Sequence, residues 1–184
     1  MYLNEANMKD KILDDQPLIP FLIDFFGTRN KMQHLRFIEE WLQLVMTRDF
    51  YTKRNDPANM LYFHDLFVEL YELLFQLSQD QKDIEKWNNL ISDNGQQTSV
   101  DDHLQYLSAE EIINPLLVIK DVFKEHDFSF YKKVLREWLE ESLNSGFSDG
   151  ISESVFPLYP NTKRIIEACW LLNQYVKEKN FVKG

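Results

Sequence analysis

The sequence predicts an all-α protein, a compact bundle of about seven to eight helices. Three observations lead there. Glycine and proline are scarce, five and six in 184 residues, which favours long helices over many turns. Apolar residues recur at three-four spacing in several segments, and no alternating run is long enough to be a strand. Hydrophobic residues make up 44% of the chain and aromatics 14%, enough for a substantial core and the opposite of a disordered composition. At this length a single domain, 1–184, is expected.

The helices follow in order. Residues 1–16 are polar and read as a frayed helix. Pro17 and Pro20 open a short apolar helix from Phe21 to Phe26, which Gly27 ends. Thr28 is the expected N-cap of the next, running to about Arg48 with Leu35, Ile38, Trp41, Leu42, Val45 and Met46 on one stripe. Asp56-Pro57 starts a long helix to about Ser78, because Asp caps and Pro suits a first turn whose N–H groups have no partner. Its apolar residues cover more than one stripe, so it is expected at the centre. A shorter helix carries Ile84, Trp87 and Ile91. Residues 92–98, rich in Ser, Asn, Gly and Gln, form the clearest break. Ser99 is placed to cap a short helix through Leu107. Ser108 and Glu111 form a capping box. Pro115 then kinks the following helix or resets its start. Asp127 or Ser129 begins the next, with Leu135, Trp138, Leu139 and Leu143 on one face, and Gly146 ends it before a polar loop, 145–154. Pro157 and Pro160 precede a final helix from about Thr162 to Lys179, also expected to be central.

Within this order the chain resembles itself. Asp24-Phe25-Phe26 is echoed by Asp121-Val122-Phe123, 97 residues later. At the same offset Glu40-Trp41-Leu42 is echoed by Glu137-Trp138-Leu139, and Phe50 by Phe147. With one residue inserted, Glu69 and Leu73-Leu74 are echoed by Glu167 and Leu171-Leu172. Self-similarity at a fixed period marks one supersecondary unit used more than once. The expected organisation is therefore two halves, 17–91 and 108–180, joined by a connector at 92–107 and related by an approximate two-fold axis. Trp41 and Trp138 would anchor the core between the halves.

Charge and cysteine use narrow the function. The formal charge is −10, which ill suits nucleic acid, whose binding draws on Lys and Arg. The short basic clusters, Arg48-Lys53-Arg54 and Lys132-Lys133-Arg136, fit solvated helix faces. No apolar run reaches membrane-spanning length. Cys169 is the only cysteine and shares an apolar face with Ile165, Leu172 and Val176, so it reads as a buried small hydrophobe in a reducing compartment. The N-terminal residues lack the basic and apolar pattern of a secretory signal. A cytoplasmic location is expected.

Few residues form a chemical pattern. Arg29-Asn30-Lys31-Met32-Gln33-His34 resembles the RNxxxH motif of the HEPN ribonucleases, which are all-α proteins. The resemblance covers six residues and implies metal-independent RNA cleavage, with Arg29 stabilising phosphate charge and His34 in proton transfer. Arg pairs phosphate in a bidentate way, and His titrates near neutrality. The same residues also read as a solvated helix start, and the second half carries His126, Asp127 and Tyr131 at the matching positions. Asp65, Glu69 and Glu72 share a helix face, but helical carboxylate metal sites combine several helices with Glu-x-x-His pairs, which are absent here. That face reads as an exposed acidic stripe. The match of Glu69 with Glu167 raises a separate expectation, a buried acid in both halves, paired with an Arg. His103 after Asp101-Asp102 balances a helix N-terminus. No zinc spacing, phosphate-cradling glycine loop or Gly-x-Ser-x-Gly occurs, so no cofactor or metal is expected.

The function these residues favour is a non-enzymatic intracellular interaction or regulatory protein, whose partner is another protein or a second copy of the chain. The two alternatives are a ribonuclease of HEPN type using Arg29 and His34, and a helical bundle that senses a small-molecule ligand in an apolar pocket.

Overall fold

A computed structural model of the chain describes residues 16–47, 57–94, 104–143 and 155–181. Among them are eight helices and no strand: α1 (Leu18–Thr28), α2 (Lys31–Thr47), α3 (Pro57–Gln79), α4 (Gln81–Asn94), α5 (Ala109–Ile113), α6 (Leu116–Glu125), α7 (Phe128–Leu143) and α8 (Val155–Phe181). The all-α bundle expected from composition and spacing is the fold observed. The expectations for residues 1–15, Asp56 as a cap, Ser99 and His103, Gly146 and the loop 145–154 lie outside the described residues. The helix expected to run through Leu107 is not seen at 104–107, which are non-helical, and the break expected at 92–98 starts later, because α4 continues to Asn94.

Several boundaries differ from expectation for identifiable reasons. Gly27 does not end α1. The helix continues to Thr28, whose hydroxyl donates to the Phe25 carbonyl at 3.2 Å, and Arg29 is the first extended residue. Thr28 therefore does not cap α2. Asn30 does, accepting the Gln33 N–H at 2.9 Å while Gln33 Oε1 accepts the Asn30 N–H at 2.9 Å. This reciprocal arrangement follows the capping-box logic with Asn and Gln in the two roles. The last helix starts at Val155, well before Thr162. Pro157 falls in the first turn, where amide donors are unpartnered in any case. Pro160 lies inside the helix and removes one intrahelical bond. The two expected resets hold. Ser108 and Glu111 form the capping box of α5, and Pro115 occupies the N-cap of α6.

The core is aromatic. Trp41, Trp87, Trp138, Tyr71, Tyr131, Tyr175, Phe25, Phe63 and Phe67 are all buried. The long apolar helices organise it: α8 packs on α1, α2, α4, α5, α6 and α7, and α3 packs on α1, α4, α6 and α7. Thus α1 and α2 lie mainly against α8, whereas α6 and α7 lie against both α3 and α8. The α2 and α7 helices meet at Trp41 and Trp138, whose rings stand edge to face at 5.6 Å. Trp41 Nε1 also donates to the Ser142 hydroxyl at 2.8 Å, so its one polar atom is satisfied inside the core.

Candidate functional site

The RNxxxH-like residues are placed by the turn between α1 and α2. His34 is 0% exposed. Its ring stacks on Phe25 at 3.8 Å, nearly parallel, and meets Phe26 edge-on at 5.6 Å. Its Nε2 lies 2.9 Å from the Phe25 carbonyl, which only accepts, so Nε2 carries the proton. Nδ1 is buried without a hydrogen-bond partner. Burial lowers the pKa of His34 to about 4; the bond to Phe25 opposes that shift and the Arg29 charge adds to it. The Arg29 guanidinium lies 4.3 Å above the Phe63 ring, a cation–π placement. Asn30 is the cap of α2. Each motif residue thus has a local structural role.

The turn between α6 and α7 carries a parallel set of contacts. The Tyr131 hydroxyl donates to the Val122 carbonyl at 2.7 Å, and Tyr131 meets Phe123 edge-on at 5.5 Å. Asp127 accepts the Phe130 N–H at 3.0 Å, as Asn30 accepts that of Gln33. These residues are the ones 97 positions after His34, Phe25, Phe26 and Asn30.

The two matched carboxylates have different fates. Glu69 is exposed. Glu167 is 0% exposed, yet it pairs with no Arg. It accepts the Gln105 N–H at 2.9 and 3.1 Å on its two oxygens, and the Tyr106 N–H at 2.8 Å. The expectation of a buried, paired acid in both halves therefore fails for Glu69, and for Glu167 the partner is polypeptide backbone. Two backbone donors on one carboxylate are charge-assisted bonds, stronger than neutral ones.

One turn earlier on α8, Lys163 is also buried. Its ammonium donates to Glu39 at 2.7 Å and to the Tyr106 hydroxyl at 2.9 Å. It sits 4.5 Å from the ring centres of both Tyr106 and Tyr159. Burial alone would lower its pKa, but hydrogen bonds to Glu39, Tyr106 and Tyr159 hold it above the usual lysine range. The adjacent Arg164 pairs with Glu111, and with Asp121 at 2.9 Å. For Glu111, burial would raise the carboxyl, but the bonds from Arg164 and Ser108 hold it below its ordinary value. Lys163, Arg164, Tyr106 and Tyr159 were not singled out from sequence. The available signal was Lys163-Arg164 and Glu167 flanking the apolar Ile165-Ile166, a place where charge must find partners.

The remaining candidates are quiet. Cys169 is buried, and burial pushes its thiol up, which keeps it protonated and inert. Asp65 bonds its neighbour His64 at 2.9 Å, and Glu72 is exposed. Among the described residues no group of three or more His, Cys, Asp or Glu could hold a metal ion, and no helix is long and apolar enough to cross a membrane. Among the described residues are two open surface depressions. One, of about 450 Å³, is lined by Glu110, Glu111, Lys120, Asp121, Lys124 and Arg164 among others. The other, of about 580 Å³, lies at the α3–α4 turn around Phe75 and Asp80. In comparisons with known proteins the chain matches no family model, no curated protein and no solved structure.

Proposed function

We propose that this chain is a non-enzymatic intracellular protein-interaction module built from two copies of one helical unit. The observation that carries the reading is the use made of buried charge on α8. Glu167 and Lys163 both engage a segment of polypeptide, residues 105 and 106. A surface that spends buried charges on backbone amides and a tyrosine is chemically suited to protein. The duplicated unit is supported by the parallel contacts of the two turns and by α1 and α2 packing on α8 as α6 and α7 pack on α3.

The ribonuclease alternative receives less support. A histidine whose Nε2–H is committed to a carbonyl and whose Nδ1 is sealed from solvent has no hydrogen-bond route to a phosphodiester. Its low pKa leaves it without the proton a general acid needs at neutral pH.

Cross-linking mass spectrometry on the full chain in its native cell tests the reading. Cross-links from a partner protein or a second copy are expected on Lys120 and Lys124, which flank the Arg164 depression, while the purified chain leaves RNA intact with or without Arg29→Ala. RNA cleavage by the purified chain, lost on Arg29→Ala, would reverse the assignment.

A further inference from the structure

We propose that residues 104–113 form a releasable strap, and that the groove they occupy on α8 is a peptide-binding site. Its ligand is a bent segment of a partner protein that presents two consecutive backbone N–H groups and a tyrosine hydroxyl. This inference rests on the interaction reading and names its site.

The strap is held by charged anchors together with only partial packing of Leu104, Tyr106 and Leu107 on the core. No residue of α5 is buried, and Leu104, Tyr106 and Leu107 are only half-buried. By contrast, α3 buries seven side chains. The anchors of the strap are Glu167 on the amides of 105 and 106, Lys163 on the Tyr106 hydroxyl, and Arg164 on Glu111. All three anchoring residues lie within one and a half turns of α8. Segments with few buried apolar contacts open at free energies well below that of global unfolding.

Opening leaves a defined vacancy. Glu167 loses both amide donors, which are charge-assisted bonds. Lys163 keeps Glu39 but loses the Tyr106 hydroxyl and ring. The groove then favours whatever restores those contacts. The resident Gln105-Tyr106 defines that chemistry: two consecutive backbone N–H groups at a bend for Glu167, and a phenol for Lys163. A basic side chain in place of the tyrosine would meet the Lys163 ammonium with the same sign. Specificity comes from the tyrosine, and most of the binding energy from backbone donors, as in other modes of peptide capture.

The test uses the full-length chain and, as probe, a fluorescent peptide with the sequence of residues 102–108. Tyr106→Phe in the protein deletes only the hydroxyl that Lys163 reaches, so the fold is retained while the strap is loosened. Hydrogen exchange over 104–113 should be faster than over α3 in the native chain, and about tenfold faster again in Tyr106→Phe with α3 unchanged. The peptide should bind Tyr106→Phe about tenfold tighter than the native chain, because apparent affinity follows the open fraction. A peptide with Phe at the tyrosine position should lose most of that gain. Exchange of the strap only at the rate of α3, equal peptide binding to both chains, or indifference to the peptide tyrosine would each overturn the proposal. Such a failure would leave the interaction reading standing, because cross-linking surveys the whole surface. Loss of that reading would instead show as no cross-linked partner at all.

Discussion

At the end of α1 the Phe25 carbonyl takes its hydrogen bond from His34; at the end of α6 the Val122 carbonyl takes one from Tyr131. Both donors sit three residues into the following helix and touch the phenylalanine after the bonded carbonyl edge-on. Both buried rings donate to a carbonyl in the last turn of a helix, and the Phe25 carbonyl also accepts from the Thr28 hydroxyl. The difference is in charge. Tyr131 stays neutral across the physiological range, since burial raises its pKa. His34 has a proton site that acid can fill, and filling it places a charge in an apolar shell. The same contact is therefore built once in an acid-resistant form and once in an acid-sensitive one. The pattern that resembles a nuclease motif is the acid-sensitive version.

The largest effect expected is at the meeting point of the two regions. Trp41→Ala should cost roughly 3–5 kcal/mol in urea unfolding, as for other buried large-to-small changes. The paired tryptophans are not equivalent. Trp41 Nε1 donates to Ser142, whereas Trp138 Nε1 has no partner. Trp41→Phe should therefore destabilise more than Trp138→Phe, by about 1 kcal/mol. Equal costs would mean that the Ser142 bond contributes nothing.

Next comes the acid response of the first turn. Unfolded, His34 takes its proton near pH 6.5, and folded near pH 4. Between these values the unfolded chain binds more protons, so stability is full above 6.5 and falls as pH drops toward 4. The loss from this group alone is about 3 kcal/mol by linkage. His34→Tyr copies the second turn's solution and should remove that component of the pH dependence, whatever its effect on stability at neutral pH. A pH profile unchanged by His34→Tyr would contradict the placement.

A smaller contrast concerns the two matched carboxylates. Glu167→Gln should cost about 2 kcal/mol, because an amide group must face two backbone donors with one acceptor oxygen where the carboxylate offered two. Glu69→Gln should stay within about 0.5 kcal/mol, as expected for an exposed site. The smallest comparison is between the caps. Asn30→Ala and Asp127→Ala should each cost about 1 kcal/mol. Thermal melts of the four variants give the ranking.

What the residues revealed in advance follows from what periodicity records. The spacing of Leu35, Ile38, Trp41 and Val45 predicts a helix and its buried face, because every one of those side chains answers to a 3.6-residue period. Helix ends are set by a few local bonds, so Thr28 and Asn30 compete for one cap and the glutamine three residues later decides it. Pro160 read as a barrier to α8, since propensity cannot weigh one lost bond against the burial of Leu158 and Ile165. The strap was harder still. Glu167 was marked by its match with Glu69, but its partners are backbone amides some sixty residues away, and backbone amides leave no signature in a sequence. His34 carries the opposite lesson: a side chain suited to catalysis was visible, and its burial was not.

The measurement closest to the centre of this account is the imidazole titration of His34 by NMR in the native chain. Packed against Phe25 and bonded to its carbonyl, His34 should be the neutral Nε2–H tautomer at pH 7 and titrate near 4, with its ring N–H protected from solvent. A midpoint near 6.5 with rapid ring N–H exchange would mean an exposed, ionisable histidine and would return it to the role of a proton-transfer group.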